Sequence, residues 1–255
     1  MSFVISVWNS TEDIVLVFVA LAAFLLAVYF AIIPHEIAHG LVAKWNGDLT
    51  AKVNGRLTLN PAAHFDPIGF VMLLFMGFGY AKPVPVNPYN FKVPRRGLFT
   101  VAIAGVVYNL AAMIVSCFFL ALTIFIGQSL QITYAYYFFY WFFYLSASIN
   151  VMLFLFNLLP LGPLDGFKII EAYANRDNSF ISWLRRYGVY ILVALFVIHF
   201  AVYYIGAYGR LEFIKYFDLL GLYLDYGTMG IAGSVQSLFN LMFGLPSGFE
   251  LFGVV

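Results

Sequence analysis

The segment from Gly97 to Leu164 contains 68 residues without a single charge or histidine. A run of that length is too apolar for a water-soluble domain, which must cover its outside with polar groups. The whole chain has the same character, since only 10% of its 255 residues are charged, against about 25% in soluble domains. We therefore expect an integral membrane protein. The net charge of +1 provides no basic surface for nucleic acid, which is not an expected partner.

The hydropathy pattern predicts an all-α polytopic membrane protein with about 4–6 transmembrane helices. Polar residues at Gly127-Gln128-Ser129 divide the uncharged run into two spans. We expect one membrane domain over 1–255, with a core at 14–186 and additional C-terminal helices at 187–255. The predicted spans are 14–34, with helix continuing to 45, then 98–127, 132–160 and 187–209, and a glycine-rich fifth at 226–249.

The distribution of cations predicts the orientation in the bilayer. Seven Lys and Arg residues fall between the first and second spans, and four fall between the third and fourth. The positive-inside rule then places both of these segments in the cytoplasm and the N-terminus outside. Glu12 and Asp13, rather than basic residues, precede the first span. We therefore interpret it as a retained span and not as a signal peptide.

Two shorter features lie in the first basic segment. An Asn54-Gly55 pair stands between short β-like runs over 51–59, which predicts a short membrane-associated β-hairpin with a two-residue turn. Residues 67–81 are uncharged and apolar but too short to span. They favour a re-entrant or interfacial segment, with a partly buried loop as the alternative.

The pentad His35-Glu36-Ile37-Ala38-His39 carries the clearest chemical signal. On a helix, residues four apart share one face, so the two imidazoles can bind one zinc ion while Glu36 remains free to act as a base. The alternatives are a structural histidine pair or a zinc site without catalysis. The pentad adjoins the end of a membrane span, where ionisable groups are costly and usually functional, and this favours the catalytic interpretation.

A catalytic zinc ion needs a third protein ligand, and Asp165 is our candidate. It is the first charge after the 68-residue apolar run. Pro160, Gly162 and Pro163 should break the helix and let the carboxylate turn inward. Both Asp165 and the pentad are predicted at cytoplasmic ends of spans, where they can meet at similar depth. The alternative is a solvated helix cap.

Other polar residues in the apolar segments have two interpretations each. Asn109 and Asn157 are amides that require hydrogen bonds, and either orient substrate or stabilise an oxyanion, or bridge helices. His64 is a metal ligand or a supporting group if it approaches the zinc site, and otherwise a structural residue. His199 stands alone in the fourth span and is expected to be a hydrogen-bonded residue facing the bundle.

These motifs together resemble the site-2 protease family of intramembrane zinc metalloproteases, in its compact prokaryotic branch. The similarity covers residues 30–170 and includes the pentad, Ala104-Gly105 with Asn109, the 157–166 segment with Leu164-Asp165-Gly166, and the segments 55–61 and 81–88. Where the family often has a proline and small residues after Ala-Gly, this chain has Val106-Val107-Tyr108.

The resemblance implies one Zn²⁺ per chain, bound by His35, His39 and Asp165, with Glu36 as the base. It also implies transmembrane-helix substrates, a multi-pass location in the lipid bilayer of a prokaryotic plasma membrane, and an active site toward the cytoplasm. No PDZ or CBS domain is visible, so we expect the regulation that such domains provide in relatives to be either absent or supplied by a partner in trans. The competing interpretation is a non-catalytic metal-binding membrane protein or transporter, which would need no base beside the ligands.

Overall fold

The computed structural model describes residues 2–69, 81–129, 133–174, 178–209 and 216–245. Within these ranges the regular structure is helical. The α-helices are α1 Ser2–Ser10, α2 Ile14–Trp45, α3 Thr50–Val53, α4 Pro94–Gly127, α5 Tyr134–Leu158, α6 Asp165–Tyr173, α7 Ser179–Gly209, α8 Leu219–Thr228 and α9 Ser234–Met242. Short 3₁₀ turns occupy Pro61–Ala63 and Pro88–Asn90, and a π-helical turn at Met229–Gly233 joins α8 to α9.

Four helices in the described residues are long and apolar enough to cross a membrane: Ile14–Trp45, Pro94–Gly127, Tyr134–Leu158 and Ser179–Val202. They confirm the first four predicted spans. The predicted fifth span, 226–249, begins inside α8 and is not among these helices. Its last residues, like positions 70–80 of the predicted re-entrant segment, lie outside the described residues.

One stripe of small residues on α2 packs against the neighbouring helices. Ala23, Ala27 and Ala31 follow each other at intervals of four and are fully buried. Small side chains let neighbouring helices approach closely inside a membrane. Because His35 and His39 continue the same four-residue spacing, the stripe aims both imidazoles at the helices packed against α2.

Pro34 interrupts the hydrogen-bond ladder of α2 one residue before the pentad. A proline has no N–H, so the carbonyl four residues earlier, that of Phe30, loses its helical partner. The Tyr108 hydroxyl on α4 donates to this carbonyl at 2.6 Å. A carbonyl left unpaired in hydrocarbon costs several kcal/mol, in the range of about 2–7, so Tyr108 compensates for the proline and ties α4 to α2.

The predicted β-hairpin at 51–59 is wrong. Residues 50–53 form the short helix α3, and Gly55 follows it with φ +64°. The Gly55 N–H donates to the Lys52 carbonyl and the Arg56 N–H to the Ala51 carbonyl. These two bonds with a left-handed glycine form a Schellman C-cap. Asn-Gly supplied the left-handed residue that both a hairpin turn and a helix cap require, and here it ends a helix.

A buried carboxylate, Asp48, holds the segments around α3 together. Its Oδ1 accepts from the Thr50 N–H, and its Oδ2 accepts from the Asn87 N–H at 2.7 Å. The Asn90 side chain adds a further bond at 2.8 Å. Burial alone would raise the pKa of the Asp48 carboxyl, but these donors outweigh it and lower that pKa below its ordinary value. The 82–90 segment is thereby fixed against the end of α2.

Candidate metal centre

Three metal-ligating side chains meet between α2 and the start of α6. The ligand atoms of His35, His39 and Asp165 all lie within 4.8 Å of one another, and all three side chains are buried. The Asp165 Oδ2 atom is 3.5 Å from His35 Nε2 and 3.1 Å from His39 Nε2. The structure therefore brings together two motifs separated by more than 120 residues in the sequence.

Hydrogen bonds to α4 determine which nitrogen of each imidazole faces the cluster. His39 Nδ1 is 2.7 Å from the Val101 carbonyl, and His35 Nδ1 is 2.5 Å from Asn109 Oδ1. Because both partners are acceptors, each Nδ1 carries the proton and each Nε2 presents a lone pair. The two Nε2 atoms lie 3.1 Å apart.

The three ligand atoms are suited to bind a cation. Two unprotonated nitrogens and a carboxylate oxygen converge in a buried space, and Asp165 Oδ2 has no hydrogen-bond donor there. Such an arrangement of lone pairs is repulsive unless a positive ion lies among them. Two histidines and one carboxylate are a ligand set found in catalytic zinc sites, which leave a further position for water or substrate.

Asn109 acts on His35 through a network of amides. Its Nδ2 donates to the Ala31 carbonyl at 3.1 Å and to Asn150 Oδ1 at 2.8 Å. This arrangement leaves Oδ1 to accept from His35. The fully buried Asn109 thereby links its own helix α4 to both α2 and α5. Asn150 is a component that the sequence analysis missed, although it is an amide in the same uncharged run. Partners of this kind orient a metal-binding histidine.

Gly105 explains the Ala-Gly pair of the sequence. A Cβ atom at this position would lie 2.5 Å from His35 Cε1 and 2.5 Å from His39 Nε2. Real Cβ atoms do not approach other atoms that closely, so glycine is required for α4 to pass the two rings. Val101, Gly105 and Asn109 are spaced by four, and this single face of α4 therefore supports both histidines.

Asp165 reaches the cluster because the chain breaks before it, as predicted. Helix α5 ends at Leu158, and α6 begins at Asp165, whose side chain is buried. A Cβ at Gly166 would lie 2.4 Å from the Leu158 carbonyl oxygen. The glycine after Asp165 therefore lets the start of α6 pack closely against the end of α5.

Lys168 holds the second oxygen of Asp165. Its Nζ lies 2.8 Å from Oδ1, one turn along α6, and leaves Oδ2 to face the histidines. We expect Lys168→Ala to weaken zinc affinity about tenfold, the lower end of the 10–100-fold range for residues that orient a ligand, because the lysine side chain is itself 44% exposed. Competition against a chelator of known affinity measures this.

Lys168→Arg should retain the affinity, and Lys92→Ala, at an exposed lysine outside the cluster, is the matched control. Equal zinc affinity for Lys168→Ala and wild type would remove Lys168 from this account.

The remaining predicted residues are not members of the three-residue cluster. His64 is buried, with Nε2 2.9 Å from the Thr58 carbonyl. The Asn157 side chain donates to the Leu153 carbonyl of its own helix at 3.1 Å. His199 pairs with Asp218 at 2.7 Å, which confirms a hydrogen-bonded residue. Glu36 accepts from the Val84 N–H at 2.9 Å.

Comparison with known proteins agrees with this site. The family model described as Peptidase family M50 matches residues 122–199, a range that includes Asp165. The chain is 40% identical over 190 residues to the Bacillus subtilis (strain 168) protein named "Putative zinc metalloprotease YwhC", covering 73% of this chain and 86% of that protein. No solved structure matches.

Coverage and identity at this level establish kinship across most of both proteins, and the zinc-ligating geometry is of the kind a metalloprotease requires. The chain therefore belongs to peptidase family M50, the site-2 type of membrane-embedded zinc metalloproteases.

Proposed function

We propose that this protein hydrolyses peptide bonds in or near the transmembrane helices of other membrane proteins. The observation that carries the proposal is the buried cluster of His35, His39 and Asp165. Both histidines lie on the membrane-length helix α2, and Asp165 follows shortly after the end of the membrane-length helix α5. A protease whose ligands lie on or close to such helices receives its substrate at or near membrane depth. The bilayer is then both its surroundings and the route by which the substrate arrives.

His35, His39 and Asp165 would hold the zinc ion, with Glu36 beside them as the general base. When bound, zinc would polarise the scissile carbonyl and acidify water. Glu36 takes the proton from the attacking water and passes it to the leaving amine, so that the amine departs as a neutral group. Lys168 and Asn109 keep Asp165 and His35 oriented throughout.

The substrate has to unwind before it is cleaved. A transmembrane helix keeps its peptide groups in hydrogen bonds, because nothing in hydrocarbon replaces them. Attack on a carbonyl therefore requires local opening of the helix, which proline and glycine in the substrate favour. We propose substrates with such residues near the cleaved bond.

The active site is proposed to face the cytoplasm in a prokaryotic plasma membrane. The two segments that carry most cations, 44–96 and 168–186, flank the pentad and Asp165, and the positive-inside rule supports their cytoplasmic location. In this orientation a regulatory partner supplied in trans, and prior cleavage of the substrate elsewhere, would provide the control of regulated intramembrane proteolysis.

A quenched fluorescent peptide with one transmembrane helix tests the function. We expect the zinc-loaded wild type in lipid nanodiscs to cleave a helix with a central Gly-Pro pair faster than the same helix with Leu-Leu there. A chelator should stop cleavage, and added zinc should restore it. Cleavage that survives the chelator, or equal rates for both helices, would contradict the proposal.

A further inference from the structure

The segment that follows residues 70–80 has few backbone N–H groups that can donate hydrogen bonds. It contains Lys82-Pro83-Val84-Pro85-Val86, which form neither helix nor strand. Proline has no N–H and holds φ near −65°, so Val84 carries the one backbone donor of the stretch 83–85. The two prolines also limit the freedom of the peptide groups on both sides of Val84.

The Val84 N–H donates a hydrogen bond to the Glu36 carboxylate. The Val84 N–H lies 2.9 Å from Glu36 Oε2, and no other bond to the Glu36 carboxylate is found among the described residues. The arrangement parallels Asp165, whose Oδ1 is held by Lys168 while Oδ2 faces the histidines. In both carboxylates the protein holds one oxygen with a hydrogen bond or ion pair. The other oxygen is left to bind the metal in Asp165 and to accept a proton in Glu36.

Arg56 holds the same peptide group from its other side. Its Nη2 donates to the carbonyl of Lys82 at 2.5 Å and to that of Pro83 at 3.2 Å. The Pro83 carbonyl and the Val84 N–H belong to one planar peptide unit, so fixing one direction fixes the other. A cation on the carbonyl also polarises the N–H and strengthens its bond to a carboxylate.

The surroundings of Arg56 indicate a specific role for its charge. Arg56 is 9% exposed, and no ion pair to it occurs within the described residues. A buried cation without a carboxylate partner is costly, and its bonds here go to the two carbonyls beside Val84. Val84 also packs toward α2, since a Cβ on Gly40 would lie 2.9 Å from Val84 Cγ1.

We propose that Arg56 is a positioning residue for catalysis, which orients the Glu36 carboxylate through the Pro83–Val84 peptide group. The inference rests on the proposed role of Glu36 as general base. Arg56 touches neither the metal ligands nor the reacting atoms in this arrangement. Removal of the Arg56 side chain changes the direction of the Val84 N–H and thereby the orientation of the Glu36 carboxylate.

Kinetics of four variants test the pathway on the quenched Gly-Pro helix peptide. We expect Arg56→Gln and Val84→Pro each to lower kcat about 10–100-fold, as misplacement of a catalytic group by about 1 Å does, with KM and zinc content unchanged. Lys92→Ala, at an exposed lysine outside this pathway, is the control and should retain kcat. Arg56→Lys keeps a cation near the carbonyls and should fall between wild type and Arg56→Gln.

The double variant Arg56→Gln/Val84→Pro distinguishes one pathway from two. If both residues act through the same hydrogen bond, the second substitution adds little to the first, because the contact is already lost. Losses of kcat that multiply in the double variant, or a loss confined to KM, would overturn the proposal.

Amide hydrogen exchange provides a test that needs no substrate. A peptide covering 82–86 contains three exchangeable amides, because Pro83 and Pro85 have none. We expect Val84 to exchange slowly in wild type and at least about tenfold faster in Arg56→Gln and Glu36→Ala, since protection follows the local hydrogen bond. Unchanged exchange in Arg56→Gln would overturn the proposal. Failure of wild type to cleave the peptide would instead count against the proposed function.

Discussion

Glu36→Gln is expected to stop peptide hydrolysis while leaving the zinc content at one ion per chain. The amide has nearly the shape of the carboxylate but cannot accept the proton of the attacking water. General-base groups typically contribute about 10²–10⁴-fold to the rate, so the cleavage rate of the variant should be lower than that of wild type by that factor. The measurement is the initial rate on the quenched Gly-Pro helix peptide, with zinc determined on the same preparation.

Glu12→Gln is the matched control, because it makes the same chemical change at an exposed position before α2. It should cleave at the wild-type rate. Wild-type turnover in Glu36→Gln would show that another group serves as base. A variant that loses both turnover and zinc would show that Glu36 supports the metal site rather than the proton transfer.

The second large effect is expected for Gly105→Ala. The added methyl would lie 2.5 Å from an atom of each histidine ring. Neither ring can turn away without breaking its bond to Val101 or Asn109. We expect zinc affinity to fall by about 10–100-fold, as when groups that orient a ligand are lost, and turnover at limiting zinc to fall with it.

Gly230→Ala is a suitable control for this variant, since a Cβ there meets no atom within 4 Å. Alanine favours a helix over glycine by about 1 kcal/mol, so helix propensity alone would make Gly105→Ala neutral or stabilising. Chelator competition and thermal unfolding with and without zinc separate the two effects. Unchanged zinc affinity in Gly105→Ala would contradict the close contact between α4 and the histidines.

The parts of the molecule that sequence predicts well depend on periodicity and on composition. Uncharged runs predict the four membrane-length helices, because a helix pairs its backbone groups within its own segment and can therefore cross hydrocarbon. The four-residue spacing of His35 and His39 gave their shared face. Asp165 was recognised from its place after a proline-rich break, and the structure brings it to the histidines.

The parts that sequence did not predict depend on contacts between distant segments. The Asn54-Gly55 pair ends helix α3, since local chemistry alone does not distinguish a left-handed cap from a hairpin turn. The contact of Val84 with Glu36 joins positions 48 residues apart, and no periodic pattern indicates it. Asn109 allowed both a catalytic and a bridging interpretation, and its contact with His35 became clear only from the packing of α4 against α2.

The most direct test of the central claim is the zinc stoichiometry of the purified protein, with wild type beside Asp165→Ala. The site described here predicts about one zinc per chain in wild type, the number a single site with three protein ligands holds. It predicts a sharp loss in the variant, because a carboxylate from one motif and two imidazoles from the other form a single site. Full zinc retention by Asp165→Ala would contradict that site, and wild type that binds no zinc when the metal is offered would contradict the metalloprotease itself.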